Sequence, residues 1–424
     1  MRILYVLGGY GERHIANEVH REFASEVIAR GHDYRLFALA REREVARGDP
    51  DASQDDVPVH RAVCAGRLLP DLVNAATRPV LHFPWFASGL FGLVSFLRKA
   101  ALFDLIVADN AYPLGAMVSL ATRVVPTPFL ASLSGGDFIA NRVAGYGYGR
   151  YAAARVLMRD AFKRASAVRA LSPHAAAGGR RLGCPADKLA VIQRNIPAAA
   201  FPPKGVDVDA YRRSAREAAA RRFGFESRRV IVAVGRLIPI KGFDDLLRAV
   251  PAVAARFEDV TVVHAGPNRR DEALGDYQTH LESLARQLGI GARVTFAGPL
   301  PNAAVRDLLA AADVVAVPSL EEGGNRIVME SAAVGSPFVA TRTSGDWDWS
   351  RDGRCGLSVE PAAPAELAEA LVRILSQPEL ARTMGQAGRA AAEQFRSGPI
   401  VERFLRLCVA AVNREPLENL GEPR

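Results

Sequence analysis

Short apolar runs alternate along this chain with stretches in which apolar residues recur every third or fourth position. Arg2–Leu7 is a run of the first kind and ends at Gly8-Gly9-Tyr10-Gly11. Ile15, Val19, Phe23 and Val27 then recur every fourth residue, the spacing of an amphipathic helix, and Gly31 is a usual stop. Residues 34–40, 105–109, 129–133, 167–171 and 189–192 predict further strands, and 151–164 predicts a helix.

A second series starts near residue 208. The pattern predicts helices over 209–223, 243–256, 277–288, 304–312 and 326–334, alternating with strands over 230–234, 260–265, 294–297, 314–317 and 338–340. Alternating strands and helices imply a parallel sheet covered on both faces, and two series imply two Rossmann-like domains. Residues 198–204, with Pro197, Pro202 and Pro203, predict the linker. A last helix is expected over 400–412, before a polar tail.

Composition narrows the class. At 424 residues, with 49% hydrophobic and 24% charged, the chain has room for two or three globular domains and is not a disordered tract. Cys64, Cys184, Cys355 and Cys408 lie far apart, which excludes a zinc ribbon or a disulfide scaffold. The first residues lack the layout of a signal peptide, so a cytoplasmic enzyme is expected. The formal net charge of +8 admits nucleic acid, an anionic membrane or a phosphorylated ligand. No RNP, KH or zinc-finger pattern supports nucleic acid. Only five of the 54 basic residues are Lys, so much of the charge is a compositional preference for Arg. The uncharged stretch 80–97 is the length of a short membrane span. His82, Pro84, Gly89 and Gly92 interrupt it, so a buried helix, or one lying near a membrane surface, is expected instead.

Open parallel sheets bind ligands beyond the carboxyl ends of their strands, so the loops there carry the candidate chemistry. Pro318 to Asn325 enters a helix that carries Glu330. Gly323 and Gly324 let the backbone approach a ligand, Asn325 suits a helix cap, and the helix start offers free N–H groups to a phosphate. Glu322 and Glu330 can accept hydrogen bonds from polyol hydroxyls, although an ordinary capped helix with solvated glutamates has the same spacing. Gly235 to Gly242 also joins a strand to a helix, and Arg236 and Lys241 suit a diphosphate, or are plain surface cations.

Taken in order, these blocks resemble the retaining glycosyltransferases of family 4. The blocks are Gly235-Arg236-Leu237 with Lys241-Gly242, Ala312-Asp313-Val314-Val315 to Pro318-Ser319, Glu322 followed after seven residues by Glu330, and Gly335 to Thr341. The resemblance implies the GT-B fold, an α/β architecture of two Rossmann-like domains facing across a cleft. Residues 1–204 would form the acceptor domain and 205–398 the nucleotide-sugar donor domain. Residues 399–424 would form a helix crossing back to the first domain, then a tail. It implies that Arg236 and Lys241 neutralise the leaving diphosphate and that Glu330 holds the ribose. Glu322 with Gly323, Gly324 and Asn325 would hold the sugar, with Gly9 on the donor side and Leu300 in the loop beside the base.

The first half fits the family less closely. Ser134-Gly135-Gly136-Asp137 resembles its strand-end block, but Ser134 stands where His is frequent. Arg13-His14 replaces the paired glycines usual before the first helix. Gly8, His14, Ser134 and Asp137 are therefore the candidates on the acceptor and sugar side. Asp346-Trp347-Asp348-Trp349 also departs from the family pattern; its tryptophans suit stacking on a ring-bearing acceptor or packing between domains.

The expected reaction moves a sugar, with retention, from a UDP- or GDP-sugar to a small-molecule, oligosaccharide or lipid-linked acceptor. No cofactor and no metal is expected. Asp207-Val208-Asp209 has the spacing of metal-dependent transferases but falls in the linker region. Three readings stay open beside it: a phosphorylase or sugar-phosphate transfer, a non-catalytic nucleotide-sugar binder, and a peripheral membrane contact that accompanies any of them.

Overall fold

The computed structural model describes residues 1–10, 17–41, 57–65, 68–226, 229–271, 275–344 and 353–417. The chain forms two compact units. Unit 1 comprises Met1–Arg142, Tyr146–Asn195 and Ser397–Arg424; unit 2 comprises Val143–Gly145 and Ile196–Arg396.

Unit 1 is built on seven parallel strands: β1 (Arg2–Leu7), β2 (Asp33–Arg41), β3 (Val59–Ala65), β4 (Leu105–Ala108), β5 (Phe129–Leu133), β6 (Ala167–Ala170) and β7 (Leu189–Val191). Their order in the sheet is β3-β2-β1-β4-β5-β6-β7. The helices between them are α1 (Asn17–Ala29), α2 (Leu68–Leu81), α3 (Phe86–Lys99), α4 (Ala116–Ala121), α5 (Ala152–Arg164) and α6 (Pro173–Arg181). β4 and β5 are buried at every residue, as strands covered on both faces must be.

Unit 2 repeats the plan. Its strands are β8 (Arg229–Val234), β9 (Val260–Ala265), the small hairpin β10 (Arg270–Asp271) and β11 (Gly275–Asp276), β12 (Val294–Phe296), β13 (Val314–Val317), β14 (Phe338–Thr341) and β15 (Gly356–Val359). The six-stranded sheet runs β12-β9-β8-β13-β14-β15. The helices are α7 (Val208–Phe223), α8 (Phe243–Arg256), α9 (Tyr277–Gln287), α10 (Asn302–Ala310), α11 (Arg326–Ala333), α12 (Pro364–Ser376) and α13 (Pro378–Ala392). In α8, Phe243, Leu246, Leu247, Val250 and Val253 form one buried stripe, and Asp244 and Asp245 sit in the first turn, where helix N–H groups favour negative charge. Asp207 caps α7 by accepting from the Ala210 N–H at 2.8 Å, and Gly224 ends it in the left-handed conformation.

The C-terminal helix α14 (Ser397–Asn413) returns to unit 1. Phe404 packs edge-on against Phe23 of α1 at 4.9 Å between ring centroids. The buried Arg169 guanidinium lies 5.5 Å over the Phe404 ring, and its Nε donates to the Ile192 carbonyl at 2.8 Å.

Several sequence expectations need correction. The presumed linker 198–204 is packed onto unit 2: Ala200 and Phe201 are buried, and the Arg396 guanidinium stacks 3.6 Å from the Phe201 ring. Apolar contacts at those positions outweigh the flexibility that the prolines suggested. The stretch 80–97 is not one helix. α2 ends at Leu81, and α3 begins at Phe86 after a bend of 117°. His82 in the bend has a φ of 52°, which no helix continues through. β3 was missed because His60 and Arg61 are adjacent polar residues that break strict alternation; as an edge strand it tolerates them. β15, α12 and α13 also had no assigned pattern.

Phe404→Ala removes the ring between Phe23 and Arg169. It should lower unfolding free energy by about 3–5 kcal/mol, read from a urea titration as a shift of the transition that also melts unit 1.

Candidate functional site

In each sheet the strand order reverses direction at one pair of neighbours, β1 with β4 and β8 with β13. The loops leaving the carboxyl ends of such a pair diverge to opposite faces and open a crevice. Both unit 2 loops singled out by sequence lie at this place. One joins β8 to α8 and the other joins β13 to α11.

Three contacts lock the two loops together. The Leu320 N–H donates to the Ile240 carbonyl at 2.8 Å. A Cβ added at Gly242 would meet the Pro318 carbonyl oxygen at 2.0 Å, and Gly242 has a φ of +66°, so no side chain fits there. Lys241 Nζ pairs with Glu322 Oε1, and both side chains are mostly buried.

Glu322 Oε1 also accepts from Ser319 Oγ at 2.9 Å and from Asn325 Nδ2 at 3.4 Å. Its Oε2 takes no hydrogen bond among the described residues. Asn325 caps α11 as expected: its Oδ1 accepts from the Ile327 N–H at 3.0 Å. Thus Asn325 fixes the helix start and steadies Glu322 at once. Glu330, one turn into α11, is buried, and its Oε1 meets Arg326 Nε at 2.6 Å.

Arg236 differs from its neighbours. It is half-buried and makes no hydrogen bond or ion pair with the described residues. Leu300 is partly buried against the core face that contains Val232, Val263 and Val315. Gly323 is buried and Gly324 half-buried in the turn before Asn325.

His264, at the end of β9, was not anticipated. Its Nε2 lies 3.0 Å from the Gly235 carbonyl, so Nε2 carries the proton. Nδ1 is buried and has no hydrogen-bond partner among the described residues. Phe243 and Phe296 contact the ring, and burial pushes its pKa down to about 4. A neutral imidazole therefore holds the first residue of the loop that carries Arg236. Its sequence setting, inside the apolar run of β9, looked like plain core.

In unit 1 the structure assembles a charged group that sequence spacing did not point to. Asp109 follows β4 at the reversal point. Tyr5 Oη donates to its Oδ1 at 2.9 Å, and Arg194, just past β7, reaches the same oxygen at 3.1 Å. Burial alone would raise the Asp109 pKa; Arg194, His20 and the Tyr5 hydroxyl outweigh it and hold the carboxyl below its usual value. Only the sheet order brings these residues, distant in sequence, to one rim.

Of the unit 1 candidates, Asp137 is fully engaged. It accepts from the N–H groups of Ser134 at 3.2 Å, Gly135 at 2.9 Å, Phe138 at 3.1 Å and Ala111 at 3.0 Å. Burial raises its pKa, while those four bonds work in the other direction. Asp137 thereby ties the loop after β5 to the loop after β4. Ser134 is half-buried beside it, Gly8 is exposed and Gly9 half-buried after β1. His14, Trp347 and Trp349, with Asp346 and Asp348, lie outside the described residues.

Two outcomes follow. Gly242→Ala forces the two loops apart and should cost about 3 kcal/mol or more, measured by chemical denaturation. His264 takes its proton more readily in the unfolded chain than in the folded one. Its contribution to stability is therefore complete above its ordinary pKa of 6.5 and is lost as the pH falls towards 4. Urea midpoints measured across that range should fall more steeply for the parent than for His264→Gln.

Two family models cover most of the chain. The glycosyl transferase 4-like domain matches residues 16–195, and glycosyl transferases group 1 matches residues 215–391. The D-inositol 3-phosphate glycosyltransferase of Rhodococcus jostii is 36% identical over 190 residues, 44% of this chain and 41% of that protein. The GDP-mannose-dependent alpha-(1-6)-phosphatidylinositol monomannoside mannosyltransferase of Mycolicibacterium smegmatis is 31% identical over 230 residues, 50% of this chain and 58% of that protein. The chain thus spans about half the length of the curated relatives it matches. Among solved structures, Anabaena HepE in complex with UDP-glucose superposes with a TM-score of 0.73 at 20% identity, over 97% of this chain and 100% of that one. Sucrose-phosphate synthase from Thermosynechococcus elongatus gives 0.73 at 20% identity, over 96% and 98%. With its two reversal-point sheets and both domain families in order, the chain belongs to the family 4 glycosyltransferases and has the GT-B fold.

Proposed function

We propose that this protein transfers a sugar, with retention of anomeric configuration, from a nucleoside diphosphate sugar bound by unit 2. The observation that carries the reading is the Arg236 guanidinium, which has no partner among the described residues, on a loop locked to Glu322 in the turn before α11. Arg236, Lys241 and the free N–H groups of the helix start supply positive potential where a diphosphate departs. In the absence of donor, Lys241 and Glu322 neutralise each other. A bound donor gives each a new partner: phosphate oxygen for Lys241 and sugar hydroxyl for Glu322. Glu330 accepts from the ribose hydroxyls.

The names of the similar proteins support a UDP- or GDP-sugar as donor, since one relative is named for GDP-mannose and one solved structure holds UDP-glucose. The acceptor occupies the carboxyl-end rim of unit 1, where Gly8, Ser134 and the Asp109–Arg194 pair lie. No metal is needed, because fixed cations and helix dipoles do the neutralising. Asp207, one half of the aspartate pair with metal-site spacing, is committed to capping α7.

Arg236→Ala and Lys241→Ala should each lower kcat/KM about 100-fold or more, the scale of removing one transition-state charge partner. Transfer at the parental rate by either variant would overturn the assignment. A thermal-shift screen against UDP, GDP, ADP and dTDP sugars identifies the donor, since a ligand that binds only the native state raises Tm. Turnover that requires orthophosphate would mean a phosphorylase, and donor binding without turnover would mean a binding protein.

A further inference from the structure

The helix after the Glu322 turn breaks a rule that its neighbours keep. Helix starts favour negative charge, because their first N–H groups have no partner within the helix. α8, α12 and α13 comply, with Asp244, Glu366 and Glu379 in their first turns. α11 carries no acid there and opens on Arg326. The Arg326 Nε lies 2.6 Å from Glu330 Oε1. An arginine followed four residues later by a glutamate is the weaker order for a helical ion pair, since the cation then sits at the positive end of the dipole. Asn325 already caps the helix. The stability of α11 therefore does not call for a guanidinium at this position.

Glu330 does call for a cation, because it is buried and a lone buried carboxylate is costly. Arg326 meets that need with one nitrogen. The Arg326 side chain is 24% exposed against 7% for Glu330, and its two terminal nitrogens make no hydrogen bond with the described residues. A guanidinium holds five N–H donors in a rigid plane, so one edge can serve a carboxylate while another serves a second anion. Side chains on a helix lean towards its N-terminus, which sets the Glu330 carboxylate over the first turn of α11, with Arg326 beside it. The identity of the second anion follows from the first. If Glu330 accepts from the ribose of a nucleotide, the phosphate joined to that ribose comes within one side-chain length of Arg326.

We propose that Arg326 is a third donor-phosphate residue beside Arg236 and Lys241. It keeps Nε on Glu330 and gives its terminal nitrogens to diphosphate oxygens, so one side chain ties the ribose carboxylate to the phosphates. Lys241, a point charge, must leave Glu322 to reach phosphate; the Arg326 fork reaches two partners at once. The diphosphate also answers the cation that the helix start alone disfavours. The role of Glu330 here rests on the transfer reading.

Equilibrium titrations of the full chain with UDP, GDP, uridine and guanosine test it without acceptor or turnover. The quantity read is the ratio of nucleoside diphosphate affinity to nucleoside affinity. The parent should bind one diphosphate far more tightly than its nucleoside. Arg326→Gln leaves a hydrogen-bond donor for Glu330 but removes the charge. It should lower the ratio about tenfold or more, with the parental circular dichroism spectrum. Arg326→Lys should recover part of the ratio, because the charge survives and the fork does not. A residue that only supported Glu330 would weaken diphosphate and nucleoside by the same factor, so an unchanged ratio in Arg326→Gln overturns the proposal. If Arg326→Gln does not fold, Arg326→Lys decides, and a ratio equal to the parent's overturns the bridge. Loss of the phosphate increment in Arg236→Ala but not in Arg326→Gln sinks this inference and leaves the transfer reading standing. A parent that binds neither diphosphate overturns both.

Discussion

Every strand in the two main sheets pairs in parallel, and that constraint places everything else. Parallel strands need crossovers, so each sheet sends all its strand-to-helix loops to one rim. Where the order reverses, two such loops separate and leave room for a ligand. Unit 2 uses the reversal between β8 and β13, and unit 1 the reversal between β1 and β4. The same rule explains why residues far apart in the chain, such as Lys241 and Glu322 or Tyr5, Asp109 and Arg194, come into contact.

At both reversal points charge is held in partly buried surroundings. An isolated buried charge is costly, so each has a partner or several donors. Glu322 has Lys241, Ser319 and Asn325; Asp109 has Arg194 and Tyr5. Asp137 needs no cation, because four backbone N–H groups converge on it. Among the described residues Arg236 stands apart as a half-buried guanidinium without such a partner, which is the arrangement expected of a group that waits for an anion. The neutral His264 beneath its loop adds shape and one hydrogen bond without adding charge that would compete for the same anion.

Much of the architecture was legible in the sequence because buried parallel strands are written as continuous apolar runs. β1, β5, β9 and β13 occupy the residues that such runs indicated. The failures have physical reasons. β3 lies at the edge of its sheet and is half-exposed, so its polar residues disguise it. The proline-rich stretch after Pro197 looked like a linker, yet Phe201 anchors it under the Arg396 guanidinium. The uncharged stretch 80–97 looked like one helix, yet its own His82 and Pro84 mark where it breaks.

The sequence by itself determined the family, the alternation of elements and the residues of the two unit 2 loops. Local spacing encodes those features: a glycine where no Cβ fits, an asparagine at a helix start, two glutamates separated by seven residues. Tertiary structure alone decided that Lys241 is paired while Arg236 has no partner among the described residues, that His264 supports their loop, and that Asp109 and Arg194 meet across unit 1. It also decided which apolar residues of the stretch 68–99 are buried and which are exposed. A sequence records that a residue is apolar or charged, but partners brought from other strands set whether it is covered, neutralised or left free.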